Sequence, residues 1–117
     1  MSACDAGLGV YGRMPVDYSK AMSCFQRAAG LGLAEGENQI GYLYANGLGV
    51  PVDYGEAMVR FRKAAALGFV QAEMNIGTLY LLGRGVAMDR QQARYWISKA
   101  AAGGVPAAQR WLAENSD

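Results

Sequence analysis

The sequence predicts an all-α fold, a short solenoid of antiparallel helix pairs that repeats every 36 residues. The first observation is internal similarity: residues 36–71 laid over residues 72–107 without a gap are identical at 15 of 36 positions. The second is that glycines recur at the same places in each period and divide it into two stretches of helical periodicity. A repeat of this length is typical of stacked units that are each too small to bury their apolar residues alone. We therefore expect function to lie on an extended surface.

The composition indicates one folded domain and excludes several functional classes. The 117 residues are 52% hydrophobic, and 11 basic against 10 acidic side chains leave a net charge of +1. Nucleic acid is not an expected partner, because phosphate binding needs a concentrated basic field. No apolar run approaches the roughly 20 residues of a membrane span, and the first residues lack the features of a signal peptide. We expect a soluble chain, with the cytoplasm favoured and the periplasm or secretion as alternatives if residues precede Met1.

The first stretch of each unit is predicted to be an amphipathic helix. In the second full period it runs from about Ala72 to Leu82, where Ile76 and Leu79 recur at helical spacing around the small Gly77. It ends at Gly83-Arg84-Gly85, where two glycines permit the positive φ of a sharp exit. The first helix therefore presents one apolar stripe and leads into a tight loop.

The second stretch is predicted to be a helix that packs back against the first. It runs from about Asp53 to Leu67, with Asp53 as the N-cap and Asp17 and Asp89 at the equivalent positions. Alanines on one side let two helix backbones approach closely, while Phe61 fills the space between neighbouring units. A glycine then ends the helix, and a short link starts the next unit.

The second full period shows the repeat pattern in full. Its characteristic residues are Ala72, Asn75, Ile76, Gly77, Tyr80, Gly83, Gly85, Val86, Asp89, Ala93, Trp96, Lys99, Ala100, Ala101 and Gly104. This pattern resembles the Sel1-like repeat, a relative of the tetratricopeptide repeat, and the resemblance covers nearly everything after Pro15. It implies a right-handed α/α superhelix whose first helices line the concave side and contact protein partners.

The chain is then one repeat domain, residues 1–117, whose N-terminus departs from the pattern. Its parts are an incomplete N-terminal unit (1–35), two full repeats (36–71 and 72–107) and a C-terminal capping helix (106–117). Gly7-Leu8-Gly9-Val10 copies residues 47–50 at a spacing of 40, so either residues 11–14 are an insertion or the regular register holds and the glycine loop is lost. Either way the first helix is too short. We expect a continuation upstream, or a homo-oligomer formed through this end that buries Met22 and Phe25.

Residues that differ between equivalent positions are better candidates for specific binding than residues that recur. Phe25, Phe61, Tyr44 and Tyr80 recur in register, which favours core packing. The variable positions of the first helices flank the apolar stripe. They give these partner-binding candidates: Asn38, Tyr42, Asn46, Met74, Thr78, Leu81, Leu82 and Arg110.

No catalytic, cofactor-binding or metal-binding residue is predicted. The chain has no histidine to activate a serine or to bind zinc, and its two cysteines, Cys4 and Cys24, are too few for a structural zinc site. Free thiols are favoured for this pair, with a disulfide as the alternative. Gly7, Gly9 and Gly12 match the letters of a dinucleotide-binding fingerprint, but no strand precedes them, so they are interpreted as a loop.

The function expected is a non-catalytic module that binds a protein or peptide partner as an adaptor or scaffold. A β-lactamase-like hydrolase is an alternative, because the resemblance extends to cysteine-rich relatives with that assignment. Those relatives carry paired cysteines where this chain has Ala65 and Ala72, and the chain has no Ser-x-x-Lys element. A bacterial toxin-neutralising protein and a self-assembling structural fragment are two more hypotheses.

Overall fold

A computed structural model describes residues 17–116 of the chain, which form six helices in sequence and contain no strand. The all-α prediction is confirmed. The predictions for the N-terminal glycine loop and for Cys4 fall on residues 1–16, outside the described residues. The helices are α1 (Tyr18–Gly30), α2 (Ala34–Asn46), α3 (Tyr54–Ala66), α4 (Val70–Leu82), α5 (Arg90–Ala102) and α6 (Pro106–Glu114).

The predicted aspartate N-caps are confirmed at all three second helices. Asp17, Asp53 and Asp89 have extended backbones, and each carboxylate accepts a hydrogen bond from an amide of its own helix. Asp89 accepts two, from the amides of Gln91 at 3.0 Å and Gln92 at 3.1 Å. Each cap therefore satisfies amides that have no partner within the helix.

The predicted helix bounds hold to within about two residues. Helix α3 lies between the predicted limits Asp53 and Leu67, which are its caps. Helix α4 begins at Val70, two residues before the predicted start at Ala72, because the chain turns directly from the extended Phe69 into the helix. No polar side chain caps this helix, so the sequence carries no N-cap signal that would mark its first residue.

The two glycines of each loop have different roles. Gly47 and Gly83 end the first helices in the left-handed conformation, with φ of 65° and 66°. The second glycine contacts the preceding unit: a Cβ added at Gly85 would lie 2.7 Å from the carbonyl carbon of Tyr54. Because that neighbour is backbone, the loop can seat against α3 only with glycine at this position.

Successive helices pack antiparallel along an elongated body of 47 × 28 × 26 Å. Among the described residues its core is a row of three small apolar clusters, centred on the pairs α1–α2, α3–α4 and α5–α6. The largest fully buried side chains, Ile40, Ile76 and Ile97, recur along this row. At one junction α4 approaches α5 so closely that a Cβ at Gly77 would lie 2.6 Å from Cγ1 of Ile97.

The second helices differ in the side chains with which they contact the unit that follows. Tyr18 and Met22 of α1 lie in a cluster that the following loop covers, and Tyr54 and Met58 of α3 do the same. At the equivalent positions α5 carries Arg90 and Arg94, whose guanidinium carbons lie 5.6 and 5.5 Å from the centre of the Trp111 ring on α6. Both arginines also donate hydrogen bonds to Asn115.

Candidate partner-binding site

The structure places the eight predicted partner-binding residues in four environments. Asn38 is only 8% exposed and accepts a hydrogen bond from Asn75, which leaves little of it for a partner. Met74 and Leu81 are half-buried against the cluster between α5 and α6, and Arg110 is exposed on α6. The remaining four residues, from two different units, line one hollow: Tyr42, Asn46, Thr78 and Leu82.

We call this feature the interhelix hollow, and it lies between α2 and α4. Phe61 and Leu79, which are 3% and 5% exposed, form its apolar floor. Tyr42 and Leu82 form its rim and are 49% and 52% exposed. Its volume is about 160 Å³, and it is open to solvent. Large apolar side chains that remain this exposed around a concave, partly apolar surface are the usual anchors of protein contacts.

The hollow exists because a small residue stands where the next unit has a large one. Asn75 lines it from α4 and donates a hydrogen bond of 3.0 Å to Asn38, which ties α4 to α2. The residue 36 positions later is Trp111, whose indole packs against the cluster between α5 and α6 beneath Arg90 and Arg94. The amide of Asn75 is much smaller than an indole, so the space beside it remains open.

Arg84 also lines the hollow, and the sequence analysis did not select it. Its guanidinium carbon lies 5.4 Å from the centre of the Tyr54 ring. Among residues 17–116, no carboxylate lies within ion-pair distance of it. A signal was available, because the equivalent residue of the preceding loop is Leu48. This difference lies in the loop, whereas the predicted partner-binding residues all lie on the first helices and the C-terminal helix.

Arg60 and Lys99 form ion pairs within the fold. Arg60 of α3 pairs with Glu37 of α2 at 3.1 Å and with Glu56 at 3.0 Å. Burial lowers the pKa of Arg60, but the hydrogen bonds and charges of Glu56 and Glu37 outweigh it and raise that pKa above its usual value. Lys99 lies 3.9 Å from Glu73 at the corresponding junction of the next unit. The Arg60–Glu37 and Lys99–Glu73 pairs join first helices to second helices and belong to the scaffold, whereas the Arg60–Glu56 pair lies within α3.

A larger depression of about 740 Å³ runs along α5, and in the described part of the chain it is lined by that helix alone. Two of its basic residues, Arg90 and Arg94, already contact Trp111 and Asn115. The interhelix hollow is smaller but is built from two units and a loop. We therefore take the hollow as the candidate site.

Residues 17–116 contain no cluster of three or more His, Cys, Asp or Glu side chains able to hold a metal ion. Cys24 on α1 is disulfide-bonded, which differs from the free thiols that the sequence favoured. Over the same residues, no helix is long and apolar enough to cross a membrane.

The fold and its open surface define an α-solenoid of stacked helix pairs, a class that presents extended binding surfaces. A family model described as Sel1 repeat matches three successive segments, residues 2–33, 34–69 and 70–105. The chain therefore belongs to the Sel1-repeat family, and the resemblance found in its sequence is confirmed.

Solved structures agree with this assignment. The protective antigen c5321, present in uropathogenic Escherichia coli strains and displaying an SLR fold, is 34% identical with a TM-score of 0.84; the match covers 94% of this chain and 23% of that one. A Sel1 repeat protein from Oxalobacter formigenes is 34% identical with a TM-score of 0.80, over 93% and 45% of the two chains.

A third structure, Helicobacter pylori cysteine rich protein B, is 24% identical with a TM-score of 0.77, over 91% of this chain and 80% of that one, and shows the fold alone. All three are bacterial proteins. This chain spans less than half the length of the first two. No curated protein matches it.

Proposed function

We propose that this chain is a protein-interaction module that holds part of a partner protein along its first helices, on the concave side that the family implies, and catalyses no reaction. The observation that carries the proposal is the gathering of Tyr42, Asn46, Thr78 and Leu82, from two units, around one open hollow. These residues vary between units while the surrounding packing residues recur, which is the pattern expected of a binding surface on a repeated scaffold.

The chemistry of the chain supports binding over turnover. The chain has no histidine, and the ion pairs of Arg60 and Lys99 join helices of the scaffold. A standard interface buries roughly 800 Å² on each partner, and a few well-placed anchors supply most of its affinity. Tyr42 and Leu82 are suited to be such anchors because both are large, apolar and half exposed.

The test is site-specific photo-crosslinking. A benzoylphenylalanine replaces Tyr42 or Leu82 on the first helices, or Val59 or Tyr95 as controls on the second helices, where both side chains are exposed. We expect the first two positions to crosslink one common protein from the source cells, and the controls to crosslink it weakly or not at all. Equal crosslinking from Val59 and Tyr95 would contradict the proposed face.

The hydrolase alternative is tested separately with nitrocefin. We expect the purified chain to leave its hydrolysis at the buffer rate. Turnover above that rate would overturn the non-catalytic part of the proposal.

A further inference from the structure

The interhelix hollow has the size and the lining of a receptor for one large apolar side chain. A cavity of about 150 Å³ accommodates a benzene-sized group, and the hollow measures about 160 Å³. Phe61 and Leu79 give it an apolar floor, and Tyr42 and Leu82 extend that surface to the rim. An inserted leucine or phenylalanine side chain would therefore lose most of its contact with water, which favours binding.

Few hydrogen-bond donors at the rim remain for a partner. Asn46 already donates from Nδ2 to the carbonyl oxygen of Tyr42 at 2.9 Å. The hydroxyl of Thr78 donates to the carbonyl oxygen of Met74 at 3.0 Å. These donors are occupied within their own helices, and among the described residues the one charged donor in the lining is the guanidinium of Arg84.

Arg84 is held in a position suited to a carboxylate. Its guanidinium lies over the ring of Tyr54, and such stacking leaves the N–H groups at its edge able to form a two-pronged hydrogen bond with a carboxylate. No acidic side chain of residues 17–116 occupies that position. The site thus combines an apolar hollow with one cation at its margin.

We propose that the interhelix hollow binds an extended acidic segment of a partner protein, with one large apolar side chain in the hollow and an Asp or Glu carboxylate on Arg84. In an extended chain, side chains two residues apart point the same way and lie about 7 Å apart. Because Arg84 itself lines the hollow, we expect an apolar residue and an acidic residue at the neighbouring same-side positions i and i+2, in either order. This inference rests on the proposed function and names the chemistry of the partner.

The test uses a random peptide library displayed on phage, selected against the folded chain. The enriched peptides are then made with a fluorophore and measured by fluorescence anisotropy. We expect enrichment of the apolar-x-acidic pattern in either direction. Arg84→Glu should weaken binding roughly tenfold or more, because it removes a charge-assisted pair. In a second selection Arg84→Glu should enrich Lys or Arg in place of the acidic residue.

A second variant tests the hollow itself. Asn75→Trp introduces the residue that the equivalent position of the next unit accommodates, and it should fill the hollow and weaken binding by a similar factor. The matched controls are Lys63→Glu, a charge reversal at an exposed position of α3, and Gln92→Trp, an added indole at an exposed position of α5. Both should bind as the wild type does, and thermal melting checks that every variant is folded.

Three results would overturn the inference. The first is a selection that enriches no peptide pattern, and the second is one that enriches basic or purely apolar peptides. The third is peptide binding that both Arg84→Glu and Asn75→Trp leave unchanged. The charge-swapped selection decides the matter even if Asn75→Trp does not fold. Peptides that compete with crosslinking at Tyr42 but ignore Arg84 would overturn this inference and leave the proposed function standing. Crosslinking from the second helices alone would refute the proposed function instead.

Discussion

The contact between α4 and α5 at Gly77 allows the packing argument to be tested quantitatively. In Gly77→Ala, the new methyl would lie 2.6 Å from Cγ1 of Ile97 and 3.1 Å from the carbonyl oxygen of Ala93. Carbon atoms in contact normally stand about 3.5–4.0 Å apart, so the overlap with Ile97 is about 1 Å. Ile97 is fully buried and the carbonyl belongs to a helix, so neither neighbour has room to move.

The expected change in unfolding free energy is a balance of two terms. Overpacking a core site costs about 1–3 kcal/mol, and we expect the upper half of that range for such an overlap. Alanine in place of glycine inside a helix returns about 1 kcal/mol. The net loss is about 1–2 kcal/mol, and each kcal/mol lowers the melting temperature of a domain this size by about 4 °C.

The assay is thermal and urea unfolding followed by circular dichroism, with Gly55→Ala as the matched control. At Gly55, in the exposed first turn of α3, an added methyl would meet only Oδ1 of Asp53, at 3.4 Å. The same substitution should therefore raise stability there, by up to about 1 kcal/mol. A Gly77→Ala variant that melts at or above the wild-type temperature would refute the packing argument.

A double mutant isolates the contact itself. Ile97→Ala alone should cost about 2–5 kcal/mol, because it leaves a cavity in the core. Combined with Gly77→Ala it should cost less than the sum of the two, by about 0.5 kcal/mol or more, because the new methyl then enters the vacated space. Strict additivity would show that the two side chains do not compete for the same volume.

Other predictions follow from the caps and from one cation. Asp53→Ala should cost about 1 kcal/mol, since its carboxylate accepts a hydrogen bond from the Glu56 amide at 3.0 Å; an unchanged urea midpoint would contradict the cap. Asp89→Ala should lower the unfolding free energy at least as much, whereas Asp89→Asn should retain most of it because asparagine is also a good N-cap. Equal losses in the two variants would contradict the role of Asp89 as a cap. Arg62→Lys should lower the unfolding free energy in urea by about 0.5–1 kcal/mol, because it removes the planar guanidinium. That group lies 5.6 Å from the centre of the Trp96 ring and donates a hydrogen bond of 2.6 Å to the Tyr80 hydroxyl. No loss would mean that charge alone matters there.

The repeat made much of the scaffold predictable. Identical residues at a fixed spacing must occupy equivalent environments, so the self-match located the helices, the caps such as Asp53 and the packed glycine Gly77 without any structure. The start of α4 was placed two residues late, because no polar cap marks it.

The candidate site was only partly predictable, because it depends on differences between units. Comparing equivalent positions selected Tyr42 and Leu82, which line the hollow, but also Asn38, which is buried. Variation alone does not say whether a side chain faces solvent or a neighbouring helix. The hollow depends on the size of Asn75 relative to Trp111, and the role of Arg84 depends on its stacking over Tyr54, a contact between units that no local pattern encodes.

The arginines of α5 give the row of units a direction. In residues 34–69 the second helix packs against the next unit through the apolar side chains of Tyr54 and Met58. In residues 70–105 the equivalent positions carry Arg90 and Arg94, which contact Trp111 of α6 instead. Inserting another copy of residues 34–69 would bury the same apolar pair again, whereas inserting another copy of residues 70–105 would bury two cations at the new junction, at a cost that only matched acidic partners could offset. A second copy of residues 34–69 could therefore extend the scaffold, whereas a second copy of residues 70–105 could not, so the order of the units is as much a part of the fold as the hairpins themselves.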